Sequence, residues 1–167
     1  MVNKMKNNLS VDEIKNSVEY QWRKHHIKIN LYIWLLISCI TLFIPFVLAL
    51  ENFEYIVTGL LVWIGFVVFY GLIIGAFILY YVHKNKYLLK NYKNFNTYEV
   101  FLDKLSTSFA YKGAIYYNVN VDGRQVDTNP YFSNMFLSKF SPEDFNNKKV
   151  LGLYDEEMDK FYIIKLI

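Results

Sequence analysis

Histidine side chains are the first candidates for chemistry in this sequence, and all three lie beside apolar runs. His25 and His26 precede the first run, and His83 follows the second. A zinc site needs three or four ligands held in a fixed geometry. Neighbouring residues of a helix point about 100° apart, so His25 and His26 cannot both face one ion. We therefore expect titratable histidines at a membrane edge and no metal site.

A second chemically active group is the acidic stretch Asp155-Glu156-Glu157-Met158-Asp159. Crowded carboxylates are typical of calcium sites. The EF-hand loop, however, alternates its ligands, places a glycine near its centre and ends on a glutamate. This stretch lacks that spacing, and we interpret it as a solvated turn between two strands.

Motifs that carry enzymatic chemistry are missing from the sequence. There is no Gly-rich phosphate loop, no nucleophile elbow and no cysteine–histidine nucleophile pair. Cys39 is the only cysteine and lies within an apolar run, so no intramolecular disulfide can form and a role as a small apolar side chain is favoured. The sequence therefore predicts no catalytic residue, no cofactor and no enzymatic activity.

Two runs without any charged residue, 29–50 and 55–82, dominate the middle of the chain. A helix crosses the hydrocarbon core with about 20 apolar residues, and the longer second run must tilt or protrude. The loop 51–54 is so short that the two helices have to be antiparallel and adjacent. We predict a membrane α-helical hairpin. Neither run holds the ionisable residues that transport or proton relay requires, which argues against an ion-coupled transporter.

The basic residues set the orientation of this hairpin. They flank both runs, whereas the loop carries only Glu51 and Glu54. The positive-inside rule then places both termini in the cytoplasm of a multi-pass plasma-membrane protein. The predicted membrane-interface residues, which would contact an anionic inner leaflet, are Trp22, Arg23, Lys24, Lys28, Trp34, Tyr80, Tyr81, Lys84 and Lys86.

Small residues in the second run predict a helix-packing face. Gly71 and Gly75 form a GxxxG pair, and Ala76 follows directly. Such a face lets another helix backbone approach closely. The approaching helix is either the first helix of the same chain, or a second copy or partner helix. Pro45 should kink the first helix near its outer end.

The N-terminal arm, residues 1–28, carries a helix-start signal. Ser10 can cap the helix, Glu13 can complete a capping box, and Leu9 can pack against Ile14. Apolar residues then recur at helical spacing into the first run, which predicts one amphipathic helix. It lies either along the inner membrane surface, or against the C-terminal module.

The C-terminal part has the pattern of a small, mainly antiparallel β module. We predict a basic juxtamembrane linker at 83–97 and a cytoplasmic module at 98–167. The predicted strands are Tyr98–Leu105, Gly113–Val121, Arg124–Thr128, Val150–Tyr154 and Lys160–Leu166, with a hairpin turn at Asp122-Gly123. The stretch 133–140 is ambiguous, and 141–144 could start a helical turn. The module has more acidic than basic side chains, which argues against nucleic acid.

Two functional hypotheses follow for a protein that acts by binding. The first is a bacterial immunity or self-protection protein that neutralises a membrane-active toxin or bacteriocin. Its small size, compact hairpin and a composition typical of AT-rich bacterial genomes fit that role. The second is an accessory or scaffold subunit of a secretion, transport or signalling complex, whose β module docks on a cytoplasmic partner. Both hypotheses require a protein or peptide partner, and both are compatible with a homo-oligomer.

Overall fold

A computed structural model of the 167-residue chain describes residues 3–5, 8–51, 55–102, 105–108, 114–132 and 145–167. Its helices are α1 (Val11–Lys15), α2 (Val18–Thr41), α3 (Phe43–Glu51) and α4 (Tyr55–Asn91), followed by a 3₁₀ turn (Tyr92–Asn94). Its strands are β1 (Asn3–Met5), β2 (Asn96–Leu102), β3 (Leu105–Ser108), β4 (Ala114–Val121), β5 (Arg124–Thr128), β6 (Tyr131–Phe132), β7 (Lys148–Asp155) and β8 (Lys160–Leu166). The chain divides into two compact units: a helical unit, residues 23–84, and a β unit that combines residues 1–22 with 85–167.

The start of α1 is the predicted capping box. The Ser10 hydroxyl accepts a hydrogen bond from the Glu13 backbone N–H at 3.2 Å, and the Glu13 carboxylate accepts one from the Ser10 N–H at 3.0 Å. The Ser10 backbone N–H, and after it the Lys165 side chain, hold the pKa of Glu13 below its usual range. The predicted cap is confirmed, and the partly buried Leu9 packs against the cluster that contains Ile14.

The predicted continuous N-terminal helix is wrong, because the chain breaks at Asn16 and Ser17. The Ser17 hydroxyl donates to the Ile14 carbonyl at 2.6 Å and accepts from the Tyr20 N–H at 3.2 Å. A serine side chain competes with the helical backbone for these groups. One residue therefore closes α1 and opens α2.

A second break, at Leu42, separates α2 from α3. Pro45 lies three residues further on; its ring has no N–H and clashes with the carbonyl four residues before it, that of Thr41. The predicted interruption near Pro45 is confirmed.

Two helical stretches, Val18–Val47 and Tyr55–Asn94, are long and apolar enough to span a membrane. In the most apolar part of the second stretch, none of the described residues is buried. Helix α4 has 37 residues, which corresponds to about 55 Å against a hydrocarbon core of about 30 Å. It therefore continues past the uncharged run, and the stretch expected to be a linker consists of the end of α4, the 3₁₀ turn and the start of β2.

The strands of the described chain form a mixed sheet in the order β1-β2-β7-β8-β5-β4-β3, with β6 paired to β4. Every pairing is antiparallel except that of β5 with β8, which is parallel. The five predicted strands correspond to β2, β4, β5, β7 and β8. The short strands β1, β3 and β6 had no prediction, and the stretches 133–140 and 141–144 lie outside the described residues.

The β unit has an apolar cluster where helices meet the sheet. It comprises Ile14, Leu88, Tyr92, Phe95, Leu153, Tyr162 and Ile164. Along β2 the side chains of Tyr98, Val100 and Leu102 point to the other face of the sheet, and all three are buried. At β7 and β8 both faces of the sheet are therefore covered, which accounts for their nearly continuous burial, whereas Phe101 of β2 is exposed.

Two glycines set the local geometry of the sheet. Asp122 and Gly123 have φ angles of 50° and 84°, as a two-residue type I′ turn requires, and Val121 pairs with Arg124 across it. The predicted hairpin turn is confirmed. At Gly152, beside a β-bulge in the β7–β8 ladder, an added Cβ would lie 2.1 Å from the Phe161 ring. No side chain fits there without movement of the core.

Candidate functional site

Two tryptophans join the long helices within the helical unit. The Trp34 indole N–H of α2 donates to the Val67 carbonyl of α4 at 3.3 Å, and the Trp63 indole of α4 donates to the Ser38 carbonyl of α2 at 3.1 Å. We call these four residues the indole clasp. An indole N–H left without an acceptor in an apolar medium is costly. The reciprocal bonds therefore set the register of the helix pair.

The glycine pair of α4 has two different surroundings. A Cβ added at Gly71 would lie 3.2 Å from Nε1 of Trp34, so Gly71 leaves room for the indole that reaches Val67. A Cβ at Gly75 would meet no atom within 4 Å, and neither would one at Gly65. Ala76 is exposed. Gly71 thus packs against the chain's own first helix, while Gly75 and Ala76 remain open.

The predicted interface residues separate into buried and exposed groups. The prediction that Trp22 and Arg23 face lipid is wrong, because both are buried. The Trp22 ring meets that of Tyr131 edge-on at 5.4 Å between centroids, so its large apolar surface is covered by protein, as in the alternative where the arm packs on the module. Exposed residues are Lys24, Lys28, Tyr80 and Lys86; Trp34, Tyr81 and Lys84 are half-buried. The Lys84 ammonium lies 5.8 Å from the Tyr80 ring centroid, within cation–π range.

A buried carboxylate occupies the first turn of α2. Glu19 is 0 % exposed, and its two oxygens accept hydrogen bonds from the Asn129 amide and the Tyr131 hydroxyl, each at 2.7 Å. Helix N-termini favour negative charge, and buried polar groups require partners. Glu19 therefore attaches the start of α2 to the connection between β5 and β6.

A second buried carboxylate, Asp155, lies at the end of β7. It accepts from the Tyr87 hydroxyl at 3.0 Å and the Tyr162 hydroxyl at 3.3 Å, and also from two backbone N–H groups of the turn. Burial, and then the hydrogen bond to Asp155, raises the pKa of Tyr87 to about 12. The prediction of a solvated acidic turn is wrong for Asp155, because this carboxylate organises the turn from inside.

Two further acidic side chains of the turn also accept hydrogen bonds. Glu156 accepts from the Asn96 amide at 2.7 Å, and Asp159 from the Tyr154 hydroxyl at 2.9 Å. Burial, followed by the contact with Asp159, raises the pKa of Tyr154. In the part of the chain that the structure describes, no three histidine, cysteine or acidic side chains are grouped to hold a metal ion.

A further tyrosine–carboxylate contact joins β2 to the β4–β5 turn. The Tyr98 hydroxyl donates to Asp122 at 2.6 Å, and burial, then this bond, raises the pKa of Tyr98. The sequence offered one signal for such contacts, its 15 tyrosines, but no spacing rule that pairs them with acids. Sequence reasoning missed Glu19 and Asp155 for the same reason.

Comparison with known proteins gives no assignment at this point. The chain matches no family model, no curated protein and no solved structure.

Proposed function

We propose that this protein is an integral membrane protein that acts by binding, with both termini in the cytoplasm. Its apolar side chains support the membrane location. Leu72 of α4 is 71 % exposed and Phe69 is 61 % exposed, and no charged residue interrupts the run around them. Apolar patches this long are covered by a partner or by lipid.

The β unit contains chain segments from before and after the two spans. This is the observation on which the proposed topology chiefly depends. Strand β1, before the spans, pairs with β2, after them. Ile14, also before the spans, is fully buried among residues that follow them. The two ends can meet only on one side of a membrane, which an even number of crossings provides. The basic flanks then favour the cytoplasmic side.

The burial and hydrogen bonding of two carboxylates support a function in binding rather than in catalysis. Glu19 and Asp155 are buried and bonded to tyrosine hydroxyls, an arrangement that stabilises a fold rather than exposing a reactive group. Among the described residues, the open side of α4 and exposed side chains of the sheet, such as Phe101, are available to a partner.

As the specific role we propose self-protection against a membrane-active toxin or bacteriocin. The open positions Gly65 and Gly75 support it, because an inserted peptide helix could approach the α4 backbone closely there. Expression in a sensitive host should raise tolerance to one cognate peptide and not to unrelated ones.

The matched variants for this test are Gly75→Ile and Leu79→Ile. Gly75→Ile closes an open backbone position and should abolish tolerance, whereas Leu79→Ile changes an already large, exposed side chain and should keep it. Growth is measured across a peptide dilution series, with membrane levels of each variant checked by immunoblot. Unchanged sensitivity to every peptide in cells with intact, inserted protein would contradict this role.

An accessory or scaffold subunit is the second candidate, and the size of the β unit favours it. A peptide-neutralising hairpin has no evident need for 105 further residues on the cytoplasmic side. In that case Phe101→Ser, on an exposed face of the sheet, should reduce recovery of a partner from crosslinked membranes and leave peptide tolerance unchanged. Deleting β7 and β8 would be uninformative, because they lie at the centre of the sheet.

A further inference from the structure

The β unit is assembled from two pieces of chain that the whole helical unit separates. We call residues 8–22 the docking segment. Its Ile14 enters the cluster formed by Leu88, Tyr92, Phe95, Leu153, Tyr162 and Ile164, and Leu9 packs against the same cluster. The segment thus supplies apolar side chains to a cluster whose other members all belong to the described residues after the helical unit.

Polar contacts add specificity to this docking. Glu19 accepts hydrogen bonds from Asn129 and Tyr131 at 2.7 Å each, and the Glu13 carboxylate lies 3.2 Å from the Lys165 ammonium. The buried contacts at Glu19 fix the position of the segment, whereas the exposed ion pair contributes little.

We propose that docking of this segment depends on membrane topology, so that the β unit completes its core only after both spans have inserted. The inference rests on the proposed two-span topology. With two crossings the segment and residues 85–167 share one side, whereas one or three crossings place a bilayer between them. In an incompletely inserted chain, the apolar cluster that Ile14 enters is then exposed. Only a correctly inserted chain presents a completely folded β unit to a cytoplasmic partner.

The test uses a crosslink between the docking segment and β8 in the full chain. Cys39→Ser removes the only native thiol, and Glu13→Cys with Lys165→Cys replaces the exposed ion pair. In membranes a short bis-maleimide should join the two cysteines within one chain. A membrane-impermeant maleimide applied from outside should label neither.

The decisive variant carries a third apolar span of about 20 residues followed by a short polar turn, inserted between Lys28 and Ile29. Its matched control carries a polar insert of the same length at the same place. The control should keep the crosslink and a protease-resistant β unit. The three-span chain, with Glu13→Cys now labelled from outside, should lose both. Equal protease resistance of the β unit in the two chains would overturn the inference.

A point variant tests docking without any change of topology. Ile14→Asp places a carboxylate in the apolar cluster and should abolish the crosslink, because an unpaired buried charge is strongly unfavourable. Val11→Asp, on the exposed side of α1, should leave the crosslink intact. A crosslink that survives Ile14→Asp would also overturn the inference.

The outcomes separate this inference from the proposed function. Outside labelling of Glu13→Cys in the unextended chain would contradict the membrane topology itself. Normal docking in a chain that confers no peptide tolerance would contradict self-protection and leave the docking inference standing.

Discussion

The helical unit and the β unit differ in the exposure of the same apolar residue types. Leu72 of α4 is 71 % exposed, whereas Leu153 of β7 is fully buried. In water each exposed leucine forgoes roughly 1.5–3 kcal/mol of burial free energy. This contrast supports the proposal that lipid surrounds the helices and water surrounds the sheet.

Their polar contacts differ in the same sense. In the helical unit, indole N–H groups donate to neutral backbone carbonyls. In the β unit, tyrosine hydroxyls donate to carboxylates, two of which, Glu19 and Asp155, are buried. A carboxylate is too costly in a hydrocarbon core, but it can be stabilised in a folded unit that supplies several donors. The use of neutral carbonyl acceptors in the helical unit therefore fits the proposed membrane location.

Glycine substitutions should give the largest difference in stability between variants of the two units. In the β unit, Gly152→Ala forces a methyl group against the Phe161 ring and the Tyr162 carbonyl, at 2.1 and 2.9 Å. We expect it to reduce the free energy of unfolding by about 3 kcal/mol, because a packed core accommodates added volume poorly. In the helical unit, Gly75→Ala meets no atom within 4 Å and should be neutral or slightly stabilising.

Thermal and urea unfolding of the purified protein, followed by protease resistance of the β unit, would measure both variants. Equal stability of Gly152→Ala and the parent would contradict the close approach of β7 and β8. A large loss for Gly75→Ala would show that its side of α4 is already occupied.

What the sequence predicted correctly depends on local signals. The two long apolar helices, the Ser10–Glu13 capping box, the Asp122-Gly123 turn and the break near Pro45 each follow from residues close together in the sequence. The five longer strands could be located for the same reason, from alternation and β-branched composition.

What the sequence left unpredicted depends on contacts between distant residues. Glu19 lies 110 positions from Asn129, and Ile14 joins a cluster whose other members begin at Leu88. No local pattern encodes these pairs, and the position of Trp22 beside an apolar run therefore predicts contact with lipid where the structure has Tyr131. The parallel pairing of β5 with β8 was missed because turn signals specify only antiparallel neighbours.

Alkaline pH should destabilise the β unit and leave the indole clasp unchanged. The pKa of Tyr87 rises from 10.0 to about 12 in the folded protein. Its contribution to stability is therefore complete below pH 10 and is lost as the pH rises toward 12, because the unfolded chain releases this proton first. Tyr87→Phe should reduce the free energy of unfolding by about 1 kcal/mol at neutral pH. Above pH 10 the free energy of unfolding of this variant should fall less steeply than that of the parent protein.

Unfolding curves measured at intervals from pH 8 to about 12 would test the sign of this effect. Tyr80→Phe, on an exposed tyrosine of α4, is the control and should follow the parent curve. Identical slopes for Tyr87→Phe and the parent would show that the Tyr87–Asp155 contact does not persist in solution.

The smallest expected effect concerns the indole clasp. Trp34→Phe and Trp63→Phe each remove one N–H donor while keeping an aromatic ring, and each should weaken the helix pair by about 0.6 kcal/mol. The two bonds join the same helices in reciprocal directions, so the double variant should lose less than the sum, because the first loss already loosens the register that the second bond needs. Energy transfer between labels near the ends of α2 and α4, measured in bicelles, would give the helix separation for the parent, the two single variants and the double variant. Tyr32→Phe, which alters an exposed ring on α2, serves as the control. Strict additivity would mean that each indole acts alone and that the register is set by side-chain packing around Gly71.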